Sequence, residues 1–521
     1  MSSSSSSISS RQLAFLVSIH IALTLITNFP SGFTNSTVNT AVEPLLRYIN
    51  ISYTEREWDF TSQDILWIHS AILNVWFLAQ VFGATIAPYF TDKYGRKRGY
   101  LIGVAFTLCS SIVQAFSIRI KMPELLILGR AMTAFASPLC DTCLIMYIQE
   151  TAPVELRGML SFLPEIGYGS MCVLGSILGM PEVLGSSLER LLLVSLIPEV
   201  LSLLFLLCIP ETPKYLMIIK GNREKSLKSL EFFQGKREKV NQFMLATYQK
   251  EKELDTSGKK RSSIWEVIRK WQLRRSVLLG CSVFVLTLSF YPMLQSSTFF
   301  FLRSGFRKDL AEMSSTGLLV LMTISTCLGS QIIDRFPRRT LVLTFGALSN
   351  IFLLAFAIFS SLPHNLWIQW AGLASIVCYI ITFALVLGPI GWFIAPELVS
   401  QRHKSTVFAL CYSIGNVMIT ITNFSVVPLF KAIGGVTFIP LFVIPSAFCL
   451  IFLYFCLPET LGKETHEIIE EMTGRKKSRK QKNLQRVGDE KSAGIPVQFV
   501  NEESDSDSDD EQYNETVIEK F

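Results

Sequence analysis

Long apolar blocks alternate with short polar ones along this chain. The blocks fall near residues 13–33, 65–90, 99–117, 123–149, 157–180 and 188–209, and again near 276–301, 312–334, 340–360, 366–396, 404–427 and 435–457. A helix needs about 20 predominantly apolar residues to cross a bilayer. The pattern therefore predicts twelve membrane-spanning helices in two sets of six, separated by a polar stretch at 214–275. Within that stretch Leu227, Leu230 and Phe233 recur at helical spacing among charges, which predicts short amphipathic helices outside the membrane. The domain reading follows: a Ser-rich disordered leader at 1–12, a six-helix half at 13–213, a helical linker at 214–275, a second six-helix half at 276–458, and a tail at 459–521.

Composition agrees. Half of the 521 residues are hydrophobic and 17% are charged, against about 25% charged in soluble domains. The formal net charge of +6 sits in loops and implies no nucleic-acid partner; its distribution is an orientation signal instead. Lys93, Arg96, Lys97 and Arg98 in the 91–98 loop, the linker, and the chain after 474 are all base-rich. With twelve spans these lie on one side, and positive residues favour the cytoplasm. Both termini are thus expected to be cytoplasmic and the 34–64 loop external, where Asn50-Ile51-Ser52 spells a glycosylation sequon. The plasma membrane is the expected location.

The tail from Glu502 to Glu511 alternates Ser with Asp and Glu, too polar and charged to support a core. Ser504, Ser506 and Ser508 are either phosphoacceptors or part of a solubilising tail. The eleven cysteines all lie in apolar blocks and read as free packing residues, Cys140 and Cys143 included.

The halves repeat each other. Asp92-Lys93-Tyr94-Gly95-Arg96-Lys97 after the second block has a counterpart in Asp334-Arg335-Phe336-Pro337-Arg338-Arg339, 242 residues on. Pro210-Glu211-Thr212 after the sixth block recurs as Pro458-Glu459-Thr460, 248 residues on, and Glu150 is matched by Glu397, 247 residues on. Parallel six-helix repeats about an axis normal to the membrane are how major facilitator carriers are built, with substrate midway between the halves. The repeated acids and bases suit a cytoplasmic gate that pairs across the halves when shut. Asp92, Arg96, Lys97, Glu150, Arg157, Glu211, Asp334, Arg335, Arg338, Arg339, Glu397, Lys404 and Glu459 are its candidates.

From about 28 to 470 the chain resembles the sugar porters that include the facilitative glucose transporters. The resemblance rests on Gly32 to Asn39, Gly83 to Arg98, Gly129-Arg130, Glu150 to Arg157-Gly158, Pro210 to Lys214, Gly388 to Phe393, Glu397 and Pro458-Glu459-Thr460. It implies an all-α integral membrane protein of the major facilitator fold that moves a hexose-like small polar solute by alternating access, with no cofactor and no metal. It also implies a substrate pocket that includes Asn39, Glu165, Tyr291, Gln295 and Trp392. The pocket departs from the family pattern, which places a Gln where Glu165 stands and Q-Q-L-S-G-x-N where Val285 to Tyr291 reads VLTLSFY. Met322 replaces an Asn and Ala384 a Glu. Thr34 stands where proton-coupled members usually carry Asp, which favours passive uniport.

Three carboxylates fall inside predicted spans: Asp141, Glu165 and Glu199. A charge at the bilayer centre costs at least about 2.5–3.5 kcal/mol, so each needs a partner or a purpose. Glu165, at a pocket position, is the strongest candidate for contacting substrate or a proton. Alternatives to a hexose carrier are therefore a proton-coupled or organic-cation carrier using Glu165, or a non-transporting nutrient sensor. No phosphate-binding Gly loop or H-E-x-x-H metal motif is present, and five histidines leave little material for catalysis. Enzyme function is not expected, and the sequence leaves oligomeric state open.

Overall fold

The computed structural model describes residues 9–40, 42–57, 61–153, 156–179, 181–254, 263–303, 305–362, 365–400, 402–461, 463 and 465–473. The leader at 1–8 and the acidic tail with Ser504, Ser506 and Ser508 lie outside the described residues.

Six helices form the first half: α1 (Ser10–Thr37), α2 (Ser62–Tyr94), α3 (Arg96–Arg119), α4 (Pro123–Thr151), α5 (Arg157–Leu178) and α6 (Leu188–Cys208). Six more form the second: α7 (Trp271–Met293), α8 (Lys308–Gly329), α9 (Arg338–Phe359), α10 (Leu366–Glu397), α11 (Lys404–Thr437) and α12 (Ile439–Cys456). Ten of these are long and apolar enough to cross a membrane; α2 and α8 complete the set, the latter with an apolar stretch at Thr316–Gly329. The halves meet where α2 packs on α11 and where α5 packs on α8.

Close helix approach is set by small residues. A Cβ on Gly83 of α2 would lie 2.0 Å from the Phe135 carbonyl oxygen of α4, and one on Gly329 of α8 would lie 2.0 Å from the Leu385 carbonyl oxygen of α10. The internal repeat thus extends to backbone contacts. The second case has a local cause. Pro389 lacks the N–H that Leu385 would accept in an unbroken helix, a π segment at Phe383–Leu387 absorbs the misfit, and Gly329 lets α8 cover that carbonyl.

The 34–64 segment, expected as an external loop, is largely helical. α1 continues past the membrane block, and Val42–Thr54 is a helix of its own. Its Leu45, Tyr48, Ile49 and Tyr53 fall at helical spacing and bury against Ile72, Ala115, Leu126 and Leu192. Tyr48 donates to the Ser117 carbonyl at 2.8 Å and Tyr53 to Glu124 at 2.9 Å, so this helix caps the α3–α4 hairpin. Asn50 lies on its exposed face, while Ser52 of the sequon is buried and donates back to Tyr48 O at 2.7 Å.

The linker is helical as its periodicity predicts. Pro213–Ile218, Arg223–Gln234 and Glu238–Leu254 enclose a small core of Met217, Ile218, Leu230, Leu245 and Tyr248, and Phe233 enters the core of the first half. The last linker helix, Ile264–Arg269, instead joins the second half, where Arg402 donates to Glu266 at 2.8 Å. The linker therefore divides between the halves. All eleven cysteines are free.

Candidate functional site

A cavity lies between the halves, lined by α1, α2, α4 and α5 on one side and α7, α10 and α11 on the other. Three of the five predicted pocket residues, Glu165, Tyr291 and Trp392, line it. The side chains of Asn39 and Gln295 lie outside what the structure describes.

Glu165 sits in the first turn of the Leu163–Leu178 segment of α5, after Pro164. It is 6% exposed, and Trp392 Nε1 of the other half donates to its Oε2 at 3.0 Å. The second acid of the cavity is Asp141 of α4, absent from the predicted pocket. Tyr412 of α11 donates to its Oδ2 at 3.0 Å, and Ser137 adds a bond at 3.3 Å. Gln80 Nε2 donates to the Tyr412 hydroxyl at 3.1 Å, so a chain of bonds runs from α2 through α11 to α4. Each carboxylate thereby ties the two halves together. The sequence carried a signal for Asp141: Arg130, Ser137 and Asp141 repeat along one stripe of α4. Glu199, the third membrane acid, accepts from Ser111 at 2.7 Å within the first half and stands away from the cavity.

The amides expected on α7 are missing, but Asn28, Asn35, Gln80 and Asn416 supply amides from α1, α2 and α11. Arg130 is fully buried. It donates to the carbonyls of Ile72 and Thr34 at 2.6 and 2.8 Å, so at Thr34 it meets a backbone oxygen rather than a side-chain acid.

At the base-rich end, the repeat builds the same device twice. Arg96, the first residue of α3, pairs with Glu150 at the end of α4 at 2.9 Å, and Thr212 donates to the other Glu150 oxygen at 2.5 Å. Glu211 accepts the backbone N–H groups of Arg96 and Lys97 at about 3.1 Å, which caps α3. In the second half Arg338, the first residue of α9, pairs with Glu397 at 2.5 Å, and Glu459 accepts from the N–H groups of Arg338 and Arg339 at 2.9 and 3.1 Å. Gly95 has φ +99°, and a Cβ there would lie 2.2 Å from Glu211 Oε2; glycine alone fits the turn.

These ion pairs join groups of the same half. This corrects the expectation of pairing across the halves, and the reason is proximity: each arginine starts a helix beside the acid of its own half. The links across are made by the two aspartates. Asp92 at the end of α2 accepts from Ser405 at the start of α11 at 2.5 Å, and Asp334 after α8 accepts from Met159 N at the start of α5 at 2.7 Å. The two latches are related by the same repeat. Burial raises the Asp334 carboxyl above its ordinary range, against the pull of the Met159 N–H and Arg338. Burial likewise pushes Glu211 up to about 7, against its N–H donors and Arg96. Of the other predicted gate residues, Lys97 donates to Leu207 O and Arg339 to Tyr454 O, at 2.9 and 2.5 Å. Arg335 is exposed, Lys404 is buried, and Arg157 is half-buried.

Sequence reasoning missed one cluster here. Glu266 of the linker accepts from Lys270 and Arg402 at 2.8 Å each. Burial alone would raise its pKa, but Lys270, Arg402 and His403 together hold it below the ordinary value.

Two repeated six-helix halves, a buried central cavity lined from both, and paired latches at one end define a multi-pass membrane carrier of the major facilitator architecture. A profile of the family described as "Sugar (and other) transporter" matches residues 20–472; the chain belongs to that family, whose members are transporters and not enzymes. The chain is 25% identical over 473 residues to solute carrier family 2, facilitated glucose transporter member 3 of Mus musculus, covering 88% of this chain and 93% of the relative. In fold it is similar to the proton:xylose symporter XylE bound to 6-bromo-6-deoxy-D-glucose, with a TM-score of 0.72, 17% identity, and coverage of 88% and 99%. Against the inward open conformation of XylE from E. coli the TM-score is 0.59, at 14% identity and coverage of 89% and 99%.

Proposed function

We propose that this chain carries a hexose-like small polar solute across the plasma membrane by facilitative alternating access. The central cavity is the substrate site, and the two aspartate latches are part of the gate at the cytoplasmic end. In this reading residues 13–213 and 276–458 are the moving halves and 214–275 the linker beneath them. Both termini are cytoplasmic, and Asn50 is an external glycosylation site.

The observation that carries the reading is the cavity itself, because both of its carboxylates are tied to the opposite half, Glu165 to Trp392 and Asp141 to Tyr412. Movement of the halves must break the Glu165–Trp392 and Asp141–Tyr412 bonds, so substrate occupancy and gating share the same atoms. Uniport is supported by Thr34 in place of an acid on α1, with Arg130 held by backbone carbonyls.

The test is counterflow. Proteoliposomes preloaded with unlabelled D-glucose are expected to take up labelled D-glucose several-fold faster than empty ones, equally with and without a pH gradient. A carrier turns over faster when it returns loaded; a rate indifferent to preloading would overturn the reading.

A further inference from the structure

The polar balance of the cavity points beyond a neutral sugar. Two carboxylates line it, and no lysine, arginine or histidine is among its described lining residues. Arg130, on the same helix as Asp141, stands eleven residues away, about 16 Å along the axis. It is already bonded to two carbonyls.

The amide groups are oriented by their partners. Asn28 Nδ2 donates to Thr24 O and Asn416 Nδ2 to Tyr412 O, at 3.0 Å each. Only nitrogen can donate to a carbonyl, so these bonds fix which way each amide faces and leave its oxygen, with the second N–H, toward the site. Gln80 likewise gives one N–H to Tyr412, whose proton goes to Asp141. Glu165 Oε1, Asp141 Oδ1 and the side-chain oxygens of Asn28, Gln80 and Asn416 accept from no described residue. On the donor side the lining offers the hydroxyls of Tyr168 and Tyr291, the Asn35 amide that donates to Tyr168, and the second N–H of each other amide, all neutral.

A sugar hydroxyl both donates and accepts, and a site that matches it offers both kinds of group; an ammonium group only donates. The remaining lining is aromatic. Trp392 stands 5.3 Å from Tyr412 between ring centroids, and Phe77 stands 6.5 Å from Tyr291 across the halves. Rings of this kind attract a cation through their faces. Glu165, at 6% exposure, faces the cavity with one oxygen bonded and one not.

We propose that this cavity, beyond the hexose-like solute, also carries a protonated amine on a compact apolar body, its ammonium group held by Glu165 and Asp141 and its body stacked among the rings. This rests on the carrier reading above and adds a second substrate class to the same site. The ammonium donates to Glu165 Oε1 and Asp141 Oδ1, the oxygens that Trp392 and Tyr412 do not use.

Labelled tyramine serves as the probe. It carries one ammonium group, whereas tetraethylammonium is a cation without N–H and D-glucose is neutral. In proteoliposomes with an inside-negative potassium diffusion potential, saturable tyramine uptake above that of protein-free liposomes is expected, with tetraethylammonium a weaker competitor. Glu165→Gln is expected to lower tyramine transport efficiency about 30-fold, the scale for removing one partner of a desolvated charge pair. Trp392→Phe keeps the ring and removes the N–H donor to Glu165; its expected loss is smaller, which guards against a Glu165 variant that fails to insert. Competition on the unaltered protein needs no variant at all. If D-glucose exchanges in counterflow while tyramine neither enters nor competes, the amine proposal is overturned and the carrier reading stands. If D-glucose uptake instead follows an imposed proton gradient and is lost in Glu165→Gln, the carboxylate serves a proton and the proposal is again overturned. If no solute moves on either assay, both fall.

Discussion

Arg96→Ala is expected to destabilise the protein by about 3–5 kcal/mol, the cost of stranding one member of a buried ion pair. Glu150 would lose its arginine in the protein interior, where Thr212 still donates to it and its side chain is 0% exposed in the parent structure. Arg96 also lies 4.9 Å above the Tyr215 ring, so its stem and charge are both lost. The pseudo-symmetric change Arg338→Ala is expected to cost less, because Glu397 keeps 9% side-chain exposure and reaches solvent more easily. The double change Arg96→Met with Glu150→Leu removes both charges and is expected to recover most of the loss, since paired removal leaves nothing stranded. Apparent melting temperature and monodisperse yield in detergent report all three. An Arg96→Ala protein that melts with the parent, or a double variant no better than the single, would refute this account of the clamp.

That clamp shows how much was legible before any coordinates. Recurrence of Asp92, Arg96, Glu150 and Glu211 as Asp334, Arg338, Glu397 and Glu459 was plain in the sequence, and the structure places both sets at the same end of their halves. Which groups pair was not legible. Side chains three residues or two hundred apart look alike in a motif, and only helix placement brings Arg96 to Glu150 rather than to an acid of the other half. The cavity illustrates the same limit. Glu165 could be placed there by resemblance, whereas Asp141 stood out only as a membrane acid on a polar stripe of α4, and one apolar span does not reveal which of its faces meets the other half. Tyr412 and Asn416 lie among apolar residues of α11 and become site residues only through the packing of α2 against α11. The Val42–Thr54 helix was a different kind of miss. Leu45, Tyr48, Ile49 and Tyr53 carry a helical period, which a reading tuned to long apolar blocks passes over.

Gly158→Val should separate gating from folding. A Cβ at this position would lie 1.9 Å from Asp334 Oδ1 and 2.8 Å from Arg338 Nη2, so a branched side chain displaces the aspartate that accepts from Met159 N. A hydrogen bond to a charged group is worth about 1.5–3 kcal/mol. Its loss shifts the balance between closed and open forms of this end by about 10- to 100-fold, because 1.4 kcal/mol is a factor of ten in population. Little stability is at stake, since Asp334 lies near the surface of the bundle end and retains its own arginine at 3.5 Å. Exposed Lys93 and Arg335 flank the latches from opposite halves. With the exposed cysteines Cys109, Cys208 and Cys327 replaced by serine, spin labels at positions 93 and 335 are expected to move apart in Gly158→Val, while the melting temperature changes little. Asp334→Ala is expected to lengthen the same distance, and the double variant no further than either alone, because both changes remove one contact. If instead the distance holds and only stability falls, the contact between Gly158 and Asp334 is packing, and the closure of this end rests on the second latch between Asp92 and Ser405.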